Sequence, residues 1–390
     1  MIFITILAFA ILFTSIAIAN LKKNTHVGNP LSISVIIPAH NSEKTIGRCI
    51  KSVLDTKHEN LEVIVVNDGS TDNTLKEAQK FKKYGVKIIS QKHKGKAVAL
   101  NNAFKHTKNE IIFILDSDTF VDRECFDHIS TSFFDENTGI VKSKIAVGNQ
   151  ENLLTKLQQI SYVVYLMYSK IEDYFKTVLF GYGCCIAIRR DAWINVDGFQ
   201  NVTSEDSDFI IRCIKNNWKV RYCPNFTVKT IAPNKIKGLF LQRVKWAKGN
   251  LECFFKYPIF YLKKIHIIAM ILPQYVLSII LFIFNLVLVP SFQLPVSAEE
   301  NIFYYQINSS KLIQVTDFYS MALNSVVILM VWIPFLFLIF KIEKEKLQVS
   351  KAILYLILFL PIDTLARITG YVWAIKDFLF DKLHFSEKTY

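Results

Sequence analysis

The sequence predicts an α/β domain built on a mostly parallel sheet and flanked by transmembrane helices. Three observations carry that prediction. Apolar, β-rich runs alternate with stretches of helical spacing across residues 30–256. Three of those runs end in short polar turns, as strands do when their carboxyl ends open onto a ligand crevice. Long uncharged segments stand on either side of the block, and this reconciles a hydrophobic content of 51% with a net charge of +13.

The first element is Met1 to Asn20, which carries no charge and runs directly into Lys22 and Lys23. Ala17-Ile18-Ala19 has the form of a cleavage site, but a basic n-region is missing and the apolar run is long. We therefore read residues 1–21 as an N-terminal membrane anchor. In the block that follows, Ser32–Pro38, Leu61–Asp68, Val86–Ser90, Ile111–Asp116 and Gly139–Val147 read as strands, the first four each followed by a helical pattern. Residues 235–264 form a basic amphipathic stretch suited to the inner membrane surface. The C-terminal membrane region, 265–390, holds two clear spans at 265–290 and 320–340. A third segment at 352–374 spans or re-enters, because Pro361, Asp363 and Arg367 interrupt it. Asp363 and Arg367, four apart, share a helix face and can pair there, which turns that face toward protein or water.

Lysine-rich flanks place the block from Lys22 to Lys264, and the basic loop around residues 341–351, on the cytoplasmic side of a cell membrane. Residues 291–319 then lie outside, where the sequon Asn308-Ser309-Ser310 fits. The excess positive charge suits anionic lipid head groups. Nucleic acid is a poor partner, since the lysines are scattered and no aromatic-interleaved motif accompanies them. The seven cysteines form neither a CxxC pair nor a disulfide framework. No GxGxxG follows a strand, and "GYGCCI" (181–186) lacks the third glycine, which argues against a dinucleotide-binding domain.

The polar turns carry the chemistry. Pro38-Ala39-His40-Asn41, Asn67-Asp68-Gly69-Ser70 and Asp116-Ser117-Asp118 close three parallel strands and converge on one crevice. Two carboxylates as close as Asp116 and Asp118 raise each other's pKa unless a cation neutralises them. A hard divalent ion does this with one or two carboxylates, completing its shell with water and phosphate oxygens. A solvated strand end or a helix cap explains the same pair more plainly. Asp68 is placed to accept from a base or ribose, and Lys96 follows Gly95 at a helix start, where a diphosphate is welcome.

Together these motifs resemble family 2 glycosyltransferases, especially the membrane-embedded hyaluronan, chitin, cellulose and poly-N-acetylglucosamine synthases. The resemblance covers roughly residues 34–246 and implies a GT-A-like fold. It implies that Asp68, and Lys96 in "GKAVALN", contact the nucleotide, with Pro38, Ala39 and Ser117 on the same donor side. It gives Asp116 a nucleotide contact beside the metal and makes Asp118 a ligand of Mg²⁺ or Mn²⁺. "TSEDSDFIIR" is similar to the TED motif, with Ser204 at the usual threonine, Glu205 beside the acceptor, and Asp206 as the catalytic base. "QRVKW" is similar to QxxRW: Gln242, Arg243, Lys245 and Trp246 fall on the acceptor or diphosphate side, with Lys245 at the arginine.

The implied activity is inverting transfer from a nucleotide-diphosphate sugar, a UDP-sugar by this resemblance, to a growing membrane-associated or exported polysaccharide. Transfer of one sugar to a lipid carrier or lipid-linked acceptor is the alternative, and a non-catalytic nucleotide-sugar-binding subunit is a remote third. Export or synthase partners are not specified by the sequence.

Overall fold

The computed structural model describes residues 31–264 apart from 57 and 180–182, then 304–307, 311–314, 336–341 and 345–387, with single positions at 267 and 333. The spans assigned to 1–21 and 265–290, and most of the one at 320–340, lie outside the described residues.

Strands β1 (Ile33–Ala39) and β4 (Ile111–Leu115) are buried along their whole length, as unbroken apolar runs in a parallel sheet must be. Side chains of β1 alternate between two cores. Ile33, Val35 and Ile37 face one with α1 (Ile46–Leu54), and Ile36 faces the other with α3 (Lys96–Phe104). Helix α1 buries Ile46, Cys49, Ile50 and Val53, a one-sided stripe at i, i+3, i+4 and i+7. Strand β2 (Leu61–Asp68) leads through α2 (Thr74–Gln79) to β3 (Lys87–Gln91).

Beyond β4 the chain forms β5 (Thr119–Val121), α4 (Cys125–Ser132), β6 (Thr138–Val147), α5 (Leu153–Tyr174), β7 (Cys185–Arg189), α6 (Arg190–Asn195), α7 (Glu205–Lys215) and β8 (Lys219–Thr230). The sheet order is β3-β2-β1-β4-β7-β6-β8-β5. Pairs β1–β2, β1–β4, β2–β3 and β6–β8 are parallel, whereas β4–β7, β6–β7 and β5–β8 are antiparallel. The expected mostly parallel sheet is therefore corrected to a mixed one. Two of the antiparallel pairs are made by β7, which enters between β4 and β6 in the opposite sense after the long helix α5, and the third by the short edge strand β5 against β8. The apolar run CIAIR of β7 was not among the strands read from the sequence, and strand direction is in any case a property of the connection.

Helix α5 starts on a capping box, in which Asn152 accepts from the Thr155 amide at 2.9 Å. After β8 come α8 (Ile236–Lys256) and α9 (Pro258–Lys263). A two-stranded antiparallel pair, β9 (Tyr304–Ile307) with β10 (Lys311–Gln314), follows. The last helices are α10 (Val349–Leu354) and α11 (Leu360–Glu387), joined by a π-helical turn at Tyr355–Phe359. Pro361 sits in the first turn of α11, and the π turn lies where its ring would crowd an α-helical carbonyl. Among the described residues one helical stretch is long and apolar enough to cross a membrane, the 32 residues Val349–Phe380, about 48 Å at ~1.5 Å per residue.

Residues Leu157, Ile160, Val163, Met167 and Ile171 of α5 share a third core with Leu336, Ile339, Phe340, Ala352, Tyr355 and Phe359. Lys144 of β6 pairs with Glu345 at 2.9 Å, so the described start of the basic 345–351 stretch lies on the same side as the sheet.

Candidate active site

The site begins where β1, β2 and β4 end. Ser42, just past β1, meets Ser117 at 2.7 Å between hydroxyl oxygens, which ties the first turn to the Asp116–Asp118 turn. The Asp116 amide donates to the Cys184 carbonyl at 2.9 Å, and the Ile231 amide donates to the Asp118 carbonyl at 3.1 Å. The DSD turn is thus held by backbone on both sides, and its carboxylates are free to face outward.

Asp68 is 3% exposed. Its carboxylate accepts from Gln91 Nε2 at 2.8 Å and from the amides of Lys94 and Gly95 at 2.9 Å each, with His93 Nδ1 also 2.9 Å away. Burial would raise its pKa, but these donors hold it below the usual carboxylate value. In this conformation the carboxylate binds the 93–95 turn, which presents Lys96. His40 and His93 stack above it with ring centroids 4.1 Å apart.

Lys96 Nζ lies 2.5 Å from Asp116 and 3.7 Å from Glu205. Burial works against its charge, yet Asp116 and Glu205 more than offset this and raise its pKa. Among the described residues no cation pairs with Asp118; burial and the neighbouring Asp116 push its carboxyl up to about 6. Glu205 and Asp206 occupy the first turn of α7, where the helix dipole favours negative charge. Burial raises the pKa of Glu205, and Asp206 adds to this while Lys96 and Lys245 oppose it. The Asp206 Oδ1 accepts from the Ser207 amide at 2.8 Å.

Two clefts meet here. One, about 680 Å³, is lined by Pro38, Ala39, Asp68, His93 and Ser117. The other, about 330 Å³, is lined by Glu205, Asp206, Gln242, Lys245 and Trp246. Lys96, Asp116, Asp118 and Ile231 belong to both. Gln242 Oε1 is buried and takes no hydrogen bond among the described residues.

Arg243 is the exception among the residues read as acceptor-side. It is 1% exposed, lies 3.1 Å from Asp363 of α11, and holds its guanidinium 4.4 Å from the Trp246 ring centre. Residues 243 and 245 point about 200° apart on a helix. Only Lys245 can reach the cleft when Arg243 is buried, and the assignment of Arg243 to the cleft is corrected accordingly.

Sequence reading gave no individual site role to Gly183, whose Cα abuts the Asp206 carboxylate, or to Arg367 of α11, and it missed Tyr162, Tyr165 and Tyr168 of α5 and Tyr371 of α11, all on the second cleft. The tyrosines carry a signal in their three-residue spacing. It also missed Lys142, buried in β6 with its ammonium donating to the Leu179 carbonyl at 3.2 Å.

The profile of the glycosyl transferase family 2 matches residues 34–196. Those bounds contain the 38–41, 67–70 and 116–118 turns and Lys96. Residues 34–196 are thus similar to a family 2 glycosyltransferase domain. The chain is similar to poly-beta-1,6-N-acetyl-D-glucosamine synthase of Staphylococcus aureus, 28% identical over 244 residues, which are 60% of this chain and 58% of that protein. The same-named protein of Staphylococcus epidermidis is 26% identical over 254 residues, covering 62% and 60%. The chain thus matches somewhat over half the length of these curated relatives. Among solved structures, the mannosyltransferase PcManGT from Pyrobaculum calidifontis, in complex with GDP-Man and Mn²⁺, is similar in fold with a TM-score of 0.56 and 16% identity, covering 95% of this chain and 96% of that one.

Proposed function

We propose that the protein is an inverting glycosyltransferase that moves a sugar from a UDP-sugar to a growing membrane-associated or exported polysaccharide. The observation that carries this is the meeting of two clefts at Lys96, Asp116 and Asp118, with Asp206 on the second. The larger cleft takes the nucleotide and the smaller takes the acceptor, so the sugar is held at the junction.

The donor set fits a divalent cation. Asp116, Asp118, Glu205 and Asp206 line the cleft as four carboxylates with two cations, Lys96 and Lys245, and burial beside Asp116 pushes the carboxyl of Asp118 up to about 6. Among the described residues no cluster of three His, Cys, Asp or Glu ligands surrounds a metal position. Two carboxylates, Asp118 and Asp116, suit an ion that takes its remaining oxygens from water and diphosphate. Mg²⁺ or Mn²⁺ bound there supplies positive charge against the leaving diphosphate.

The residues of the chain do the rest. Lys96 stands beside the same diphosphate. Asp206 receives the proton of the acceptor hydroxyl as its oxygen bonds to the anomeric carbon. The bond from that carbon to the phosphate oxygen breaks, its electron pair leaves with the nucleotide diphosphate, and the anomer inverts.

Membrane attachment is supported by α11 and α9, which expose Val372, Trp373, Ile375, Leu379 and Phe380, and Ile259 and Leu262 beside Lys263. The names of the staphylococcal relatives favour polymer synthesis and an N-acetylglucosamine donor. Transfer of a single sugar to a lipid-linked acceptor uses the same centre. Incubating membranes with a panel of labelled nucleotide sugars and sizing the product tests both. A polymer supports the first, a single added sugar the second, and no incorporation from any donor refutes the catalytic reading.

A further inference from the structure

Helices α8 and α11 run parallel and touch at points spaced along their length. Arg243 meets Asp363 at 3.1 Å, Lys248 meets Asp377 at 2.5 Å, and Phe255 stacks on Phe378 with centroids 4.4 Å apart. Between the two ion pairs, Gly370 lies so close to Val244, Ala247 and Lys248 that a Cβ there would collide with α8 backbone. Positions 363, 370 and 377 are seven apart and so share one face of α11.

The upper ion pair reaches the cleft. Asp363, 6% exposed, is shared by two guanidiniums: Arg243 on one oxygen and Arg367 Nε at 2.7 Å on the other. Arg367 also donates to the Tyr165 hydroxyl and lines the acceptor cleft together with Tyr371. Arg243 in turn lies over Trp246, which lines the same cleft. A single carboxylate therefore sets two cleft walls, one on α11 and one on α8.

We propose that Asp363 is a positioning residue for the acceptor: it aims Arg367 into the cleft and seats Arg243 behind Trp246, so that α11 contributes Arg367 as a hydrogen-bond donor to acceptor oxygens. This rests on the two-cleft assignment above. A buried carboxylate with two cations is a costly device for stability alone, since apolar packing of equal volume does as well or better. Its geometry serves orientation instead, because each guanidinium has a fixed fork that one carboxylate can lock.

Asp363→Asn keeps the shape and removes the shared charge. In the full chain purified in detergent, with UDP as the donor-side probe, UDP affinity is expected to stay at the wild-type value. The KM for the acceptor is expected to rise about tenfold, the effect of losing one charge-assisted hydrogen bond, while kcat changes less. Asp363→Glu should recover part of the loss. An unchanged acceptor KM in Asp363→Asn, or an equal loss of UDP binding, overturns the proposal. If that variant does not fold, Arg367→Gln leaves the Arg243–Asp363 pair intact and decides the matter: its acceptor KM must rise with UDP binding unchanged. Failure of the functional proposal would show in the wild type, as absent sugar transfer, whereas failure here shows in the comparison of variants.

Discussion

Gly183 lies against Asp206 so closely that any side chain at 183 would overlap the carboxylate. The same glycine accepts from Lys96 Nζ through its carbonyl at 3.4 Å. One residue without a side chain thus spaces Asp206 and Lys96. Gly183→Ala should displace Asp206 and lower turnover about 10²-fold, the cost of misplacing a catalytic group by an ångström. UDP affinity should change little. Steady-state rates beside UDP titration check this, and wild-type turnover in the alanine variant would contradict it.

Asp206→Asn preserves shape and removes the proposed proton acceptor. Turnover should fall by about 10² or more, with UDP binding retained. A variant that turns over normally would assign the proton elsewhere.

Chelation should abolish transfer, and Mg²⁺ or Mn²⁺ should restore it. Asp118→Asn should weaken the metal dependence of UDP binding most directly, because Lys96 neutralises Asp116 but does not touch Asp118. Calorimetric titration with UDP at varied Mn²⁺ reads this; full activity in excess chelator refutes the metal assignment.

Asp208, fully buried on α7, accepts from Lys256 at 2.6 Å, Tyr257 at 2.7 Å and Arg212 at 2.8 Å. Burial would raise its pKa, but these three partners hold it below the usual carboxylate value. Its folded pKa is therefore lower than its unfolded one. The stabilisation is complete above about pH 4 and is lost as pH falls through the folded value. Asp208→Asn should cost about 3 kcal/mol at neutral pH and flatten the acid limb of the melting profile. Equal melting curves at pH 7 would show that the cluster contributes nothing.

Trp246→Ala should abolish transfer while leaving UDP binding measurable. Lys245→Arg should preserve or lengthen the product, since the cleft already accommodates a cation at 245. Loss of activity in Lys245→Arg would favour single-sugar transfer, with the segment adapted to another acceptor.

Much of the domain was legible in its residues because local pattern and tertiary role agree there. The buried run Ile111–Leu115 is a central strand, and Asp116 and Asp118 stand at its mouth as its abrupt polar end implied. The Asp363–Arg367 pair follows from four-residue spacing on a helix. Other features depend on contacts between elements far apart in the chain. The reversed sense of β7 is set by how α5 returns the chain. The withdrawal of Arg243 from the cleft requires Asp363, 120 positions later, and no local pattern in "QRVKW" reveals that partner. Asp68 looked available for a ligand because its donors, Gln91 and the 94–95 amides, are supplied by the next strand and turn.

The shared floor of Lys96, Asp116 and Asp118 makes two doors onto one room. On the proposed function, spent nucleotide would depart through the larger opening while an elongated product still occupied the smaller, so neither would have to wait for the other to clear. Repeated addition would then demand only that the product slip forward by one sugar, with no release and recapture between rounds. The same plan would let a single-turnover relative discharge both products independently. On that reading, the grip of the tyrosine- and tryptophan-lined passage on its occupant would separate the two behaviours.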